Sequence, residues 1–157
     1  MVEKMDIDDK TDKTPSPAPD LRFAEGNEET VIDVKKRLIW LKKDTWQLTG
    51  KWLNWVQSRD YALEVNKMAV GGHNDWRMPT AAEAKSLFDK SQVNNDYMGK
   101  DAFLHKIFPK GFGFLCWTSD VRNKTQAVRF GYRKGGVMYD DIYRVSRGAT
   151  RFVRDID

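Results

Sequence analysis

The sequence predicts an α+β domain in which two main helices pack on a twisted, mostly antiparallel sheet. Three observations predict it. Residues 31–34 and 37–41 near the start, and 112–119, 126–133, 137–139 and 149–154 near the end, are β-type runs joined by short polar or glycine turns. Between these groups, residues 55–69 and 81–90 place apolar side chains at helical spacing. The length, 157 residues with 40% hydrophobic and 32% charged side chains, suits one domain with a real core.

Residues 1–28 read as a disordered tail, and residues 29–157 as the domain. The tail is poor in large apolar residues, and Thr14-Pro15-Ser16-Pro17-Ala18-Pro19 favours extended polyproline geometry. Leu21 and Phe23 have the character to dock locally on the domain. The domain opens with Val31-Ile32-Asp33-Val34, a polar break at Lys35-Lys36, and Arg37-Leu38-Ile39-Trp40-Leu41, which together read as a hairpin. Residues 44–52 read as irregular, with Gly50 as a breaker. Asn54 and Gln57 form a capping pair for the first helix, whose apolar side carries Tyr61, Ala62, Val65, Met68 and Ala69.

Gly71-Gly72 ends that helix, since glycine enters left-handed geometry at little cost. Pro79 holds Met78 extended, and Thr80 with Glu83 caps the second helix. Residues 91–100 are a polar loop, and Asp101 caps a short helix expected through Phe108. Residues 112–119 read as a buried strand. In the next run Val128, Phe130 and Tyr132 point one way, and Ala127, Arg129 and Arg133 the other. The first and last strands are expected side by side.

The stretch Asp75-Trp76-Arg77-Met78-Pro79-Thr80 resembles the D-W-R-L-P-T signature of the Lcl C-terminal domain family, named after a bacterial collagen-like adhesin. A strand ending in Trp40, the Trp117-Thr118-Ser119 strand and the closing Val153-Arg154 resemble further parts of the same pattern, over about residues 31–156. The resemblance implies a C-type-lectin-like fold related to sulfatase-modifying factors. It also implies an association with sulfated glycosaminoglycans, and either a monomer or a trimer. Asp75, Trp76, Arg77, Pro79, Thr80, Glu83 and Trp117 are read as structural: a buried ring, an arginine held by carbonyls or a carboxylate, and a helix cap.

Net charge is +4, but residues 1–30 carry nine acidic and four basic side chains, which leaves +9 on the rest. That asymmetry points to an anionic partner or to a tail that covers the basic body. Arg122, Lys124, Arg129, Arg133, Lys134, Arg144, Arg147 and Arg151 crowd the last third as candidate anion ligands, and Tyr132 and Tyr139 as stacking platforms. The expected function is a non-catalytic binding module for a polyanionic, sulfated-glycan-like ligand or an acidic protein surface. The alternative is an accessory subunit docked through its tail. Nucleic acid is a less favoured ligand.

An enzyme of sulfatase-modifying type is disfavoured, because its chemistry needs a cysteine pair and Cys116 stands alone. No catalytic residue, cofactor or metal is expected. The first residues have no signal-peptide character, so the chain as written is expected in the cytoplasm, or outside if a leader has been removed. No membrane insertion is expected.

Overall fold

The computed structural model describes residues 22–156. In chain order the strands are β1 (Phe23–Glu25), β2 (Thr30–Asp33), β3 (Leu38–Leu41), β4 (Asn94–Asn95), β5 (Asp101–Ala102), β6 (Leu115–Arg122), β7 (Gln126–Gly131), β8 (Val137–Asp141) and β9 (Val153–Asp155). The helices are α1 (Thr45–Thr49), α2 (Trp55–Lys67) and α3 (Ala81–Ser86), with a 3-10 turn at Val70–Gly72. The fold is α+β, and every pairing between named strands is antiparallel. Three sheets stand where one was expected: four strands in the order β9-β3-β2-β1, three in the order β6-β7-β8, and the two-stranded β4-β5.

The opening hairpin forms as read, with Asp33 accepting from the Lys36 N–H inside its turn. The tail boundary at 28 is corrected. Phe23–Glu25 is a strand on β2, because the Phe23 ring packs against His105 and Phe108, 5.1 and 5.6 Å between centroids, and Arg22 is held by Asp33 and the Ser86 carbonyl. The expected disorder of residues 1–21, and the docking of Leu21, lie outside the described residues. With β1 on the outer edge of β2, the closing strand β9 pairs with β3, the second strand of the hairpin, and not with the first.

Three further local readings change. Residues 44–52 contain α1, whose Asp44 and Gln47 form a reciprocal capping box and whose C-cap Gly50 sits at φ 70°. The second helix ends at Ser86, because Leu87 turns into the core and the Asp89 N–H goes to the Phe103 carbonyl. No helix follows Asp101. Residues 101 and 102 pair with β4, and the Asn94 amide donates to the carbonyls of His105 and Phe108.

Two apolar clusters form the core. The first joins Val31, Leu38, Trp40, Phe108, Phe112, Phe130 and Val153, with Leu87 beneath α3. The second joins Leu41, Val65, Trp76, Met78, Trp117 and Phe152. Strand β7 is buried on both faces, so its alternation does not separate inside from outside. No helix among the described residues is long and apolar enough to cross a membrane.

Candidate functional site

The corner at residues 75–83 locks the end of the chain to its middle. Trp76 is buried, and its indole N–H donates to the Val70 carbonyl at 2.8 Å. Asp75 accepts two bonds from Arg154, 2.6 and 3.1 Å. Arg77 donates to both oxygens of Glu83, 2.7 and 2.9 Å, and to Asp155, 3.1 Å. The backbone of Arg77 exchanges two hydrogen bonds with Val153. Thr80 and Glu83 form the expected capping box, and the Pro79 carbonyl accepts from the Ser119 N–H.

The hydrogen bond from Arg154 holds the Asp75 carboxyl below its ordinary range. Burial pushes Glu83 up, but Arg77 and the Thr80 N–H outweigh it and leave Glu83 below its ordinary value. Trp117 is fully buried, with its indole N–H on the Leu53 carbonyl. Each of these side chains is engaged within the fold.

The arginine set divides. Arg151 and Arg129 are interior, not on a binding face. Arg151 donates to the carbonyls of Leu41 and Lys42 and lies 4.7 Å over the Phe108 ring, beside buried Asp44. Burial raises the Asp44 carboxyl, although Arg151 pulls it back. Asp44 is satisfied in its buried position, since it caps α1 through the Gln47 N–H and also accepts from Gly113, at 2.9 and 2.7 Å. Tyr132 is buried too, with its hydroxyl on the Ala84 carbonyl, so it offers no stacking face. Arg133 is tied to Asp96 at 2.7 Å and lies over Phe114.

Three of the remaining candidates, Tyr139, Arg144 and Arg147, meet at a cleft of about 330 Å³ beside β8 and the loop after it. Arg129, Tyr139, Asp140, Arg144 and Arg147 line it. Asp140 binds two of these arginines, Arg129 at 3.0 Å and Arg144 at 2.6 Å. Arg129 also donates to the carbonyls of Ser146 and Arg147, while its Nε has no partner. Burial pushes the Asp140 carboxyl up, but the bonds from Arg144 and Arg129 bring it below its ordinary range.

Arg147 is exposed, and no carboxylate among the described residues pairs with it; its guanidinium lies 5.5 Å from the Phe114 ring centroid. Its backbone is left-handed, φ 53°, which a residue with a Cβ adopts at a cost of about 1–2 kcal/mol. Arg122 stacks 3.7 Å over the half-exposed Tyr139 ring. Lys124 and Lys134 are exposed in the turns at the two ends of β7 and lie outside the cleft lining.

The Lcl C-terminal domain family model matches residues 29–154. The chain belongs to that family. Neither a curated protein nor a solved structure matches it.

Within the family domain, sequence reasoning missed an aromatic stack that runs from the cleft across α1. Trp46 and Trp52 stack at 3.9 Å, Tyr97 stands edge-on to both, and Phe114 lies parallel to Tyr97 at 6.4 Å. No local spacing announces it, since its rings come from three separated segments. Cys116 is buried, and burial pushes its thiol up, so it is no ready nucleophile. Among the described residues no three His, Cys, Asp or Glu side chains gather as a metal site.

Proposed function

We propose that the chain is a non-catalytic binding module with a lectin-like α+β fold, and that its arginine cleft takes an acidic group of a polyanionic ligand of sulfated-glycan type. The observation that carries this reading is Arg147. It holds a costly left-handed backbone, has no carboxylate partner among the described residues, and stands beside Arg144 and Arg129 at one cleft. Arginine suits this task, because its planar fork meets sulfate or carboxylate oxygens in pairs. The neighbouring Tyr139 ring adds an apolar wall.

The lectin-like assignment is supported by the family and by the closing strand pairing with the opening hairpin. The lone buried cysteine supports a binding role over sulfatase-modifying chemistry.

The test is binding to dextran sulfate, with duplex DNA alongside, at about 10 mM and about 150 mM salt. Dextran sulfate is expected to bind more tightly than DNA at the higher salt. Arg147→Ala should weaken dextran sulfate binding about tenfold, which corresponds to about 1.4 kcal/mol. Equal binding of both polymers, vanishing together at the higher salt, would reduce the cleft to generic charge. A second reading, an accessory subunit of a protein assembly, is favoured by the exposed apolar side chains Val137, Met138 and Tyr139 of β8, with Val121, Tyr143 and Val145 also exposed.

A further inference from the structure

We infer that the free edge of β8 is a strand-addition site for an extended acidic peptide segment of a partner protein. The inference deepens the second reading above and uses a different feature from the cleft, namely the strand's outer backbone. In the β7-β8 register the pairs Arg129 with Met138 and Ala127 with Asp140 alternate with Phe130 with Val137 and Val128 with Tyr139. Gly131 donates to the Gly136 carbonyl and Ile142 to the Thr125 carbonyl, which fixes the phase of the ladder. Even-numbered residues of β8 therefore bond inward. The N–H and C=O groups of Val137 and Tyr139 face outward, away from β7. At Asp141 the outward groups are already used: its N–H goes to the Asp140 side chain and its carbonyl accepts from Arg144. The open edge is thus the stretch 137–139.

Among the described residues, the two edges of the four-stranded sheet are blunted. Edge strand β1 ends in Glu25, paired to Lys42 at 2.6 Å. The outer edge of β9 is met by the Arg77 backbone at Val153 and ends in Asp155. Among the described residues, strand β8 has no such protection at 137–139. It carries Val-Met-Tyr, exposed at 52%, 40% and 47%, with no proline, no bulge and no charge. A bare edge with apolar side chains is the geometry by which one chain adds a strand to another. Main-chain bonds then give affinity, and alternate side chains give specificity.

Charge selects the occupant. Among residues 121–147 the exposed cations Arg122, Lys124, Lys134, Arg144 and Arg147 outnumber Asp140 and Asp141, which both sit at the C-terminal end of β8, while Arg129 is buried on Asp140 and Arg133 is tied to Asp96. A second copy of this chain paired edge to edge would bring the same positive face onto itself. An extended segment alternating acidic and apolar residues complements both the charge and the exposed Val137, Met138 and Tyr139.

The probe is the labelled peptide Ac-Asp-Ile-Asp-Val-Asp-Ile-Asp-NH2, titrated against the full chain by fluorescence anisotropy. It should bind at least tenfold more tightly than the same peptide N-methylated at alternate amides, which keeps charge and side chains but removes strand donors. Val137→Pro deletes one outward N–H and leaves the inward ladder intact, so it should weaken the peptide about tenfold while dextran sulfate binding stays unchanged. Val137→Lys, a milder change at the same edge, should act in the same direction if the proline variant folds poorly. Equal binding of the methylated and plain peptides, or no binding of either, would overturn the inference. So would a chain that binds the peptide only after residues 1–21 are removed, which would assign the edge to the protein's own acidic segment. A dimer by light scattering that Val137→Lys dissociates would assign it to a second copy and overturn it equally. Loss of dextran sulfate binding with peptide binding intact would remove the cleft reading and leave this one standing.

Discussion

Replacing Trp76 by alanine tests whether the corner at residues 75–83 is structural. The ring is 3% exposed, in one cluster with Leu41, Val65, Met78, Trp117 and Phe152. It stands edge-on to His73 at 5.8 Å, and its N–H occupies the Val70 carbonyl at 2.8 Å. Truncating a buried tryptophan to alanine costs about 3–5 kcal/mol. Leaving the Val70 carbonyl without its donor adds about 1 kcal/mol. The sum is a large share of the ~5–15 kcal/mol that holds a typical domain together. For a domain of this size each kcal/mol moves Tm by about 3–5 °C, so Trp76→Ala should melt roughly 12–30 °C below the parent. Trp76→Phe keeps most of the packing and loses the N–H, and should cost about 1–2 kcal/mol. Urea unfolding followed by circular dichroism at equal slope gives both values. A Trp76→Ala protein that melts within ~2 °C of the parent but loses dextran sulfate binding would refute the argument and make the ring a ligand platform.

Two further outcomes follow from the same geometry. Asp75, Glu83 and Asp140 all lie below their ordinary carboxyl values. A group depressed in the folded state stabilises above its unfolded pKa and loses that contribution as pH falls through the folded value. Thermal stability should therefore drop below about pH 4, and Glu83→Gln should shrink the drop while lowering Tm at neutral pH, both read by calorimetry across a pH series. Asp44, raised by burial, acts with the opposite sign, since its neutral form suits the fold better. Gly148→Ala places a Cβ 1.8 Å from the Leu53 carbonyl oxygen, which is held because the Leu53 N–H bonds the Gly148 carbonyl at 2.8 Å. That variant should lose more than ~3 kcal/mol or fail to fold, whereas Gly50→Ala, with open space around it, should cost only about 1–2 kcal/mol. Comparable urea midpoints for the two would show that crowding at Gly148 is relieved.

The motifs that sequence reasoning read well are those whose partners lie within a turn of one another. Thr80 with Glu83 and Asn54 with Gln57 cap their helices as spacing implies, and Asp44 with Gln47 shows that the same signal held at a third place where it went unread. The helix expected after Asp101 failed for the converse reason. Its apolar residues do recur at helical spacing, but Asn94 and β4 offer that backbone better partners from elsewhere in the chain.

The arginine candidates show where local reading stops. Arg129, Arg147 and Arg151 are alike in sequence, yet the fold buries the first and last and leaves the middle one exposed. Exposure depends on which segments cover a strand. Strand β7 is covered on both faces, so a two-residue period carries no information about which side is wet. By itself the sequence determined the family corner, the helix starts and the basic balance of the last third, because these rest on short-range backbone chemistry and on counting. The tertiary structure alone decided that β9 pairs with β3, that Asp140 draws two arginines to one cleft, and that 137–139 lies on an open edge. Each of these joins groups far apart in the chain, whose meeting is set by burial of the two core clusters and not by spacing along the backbone.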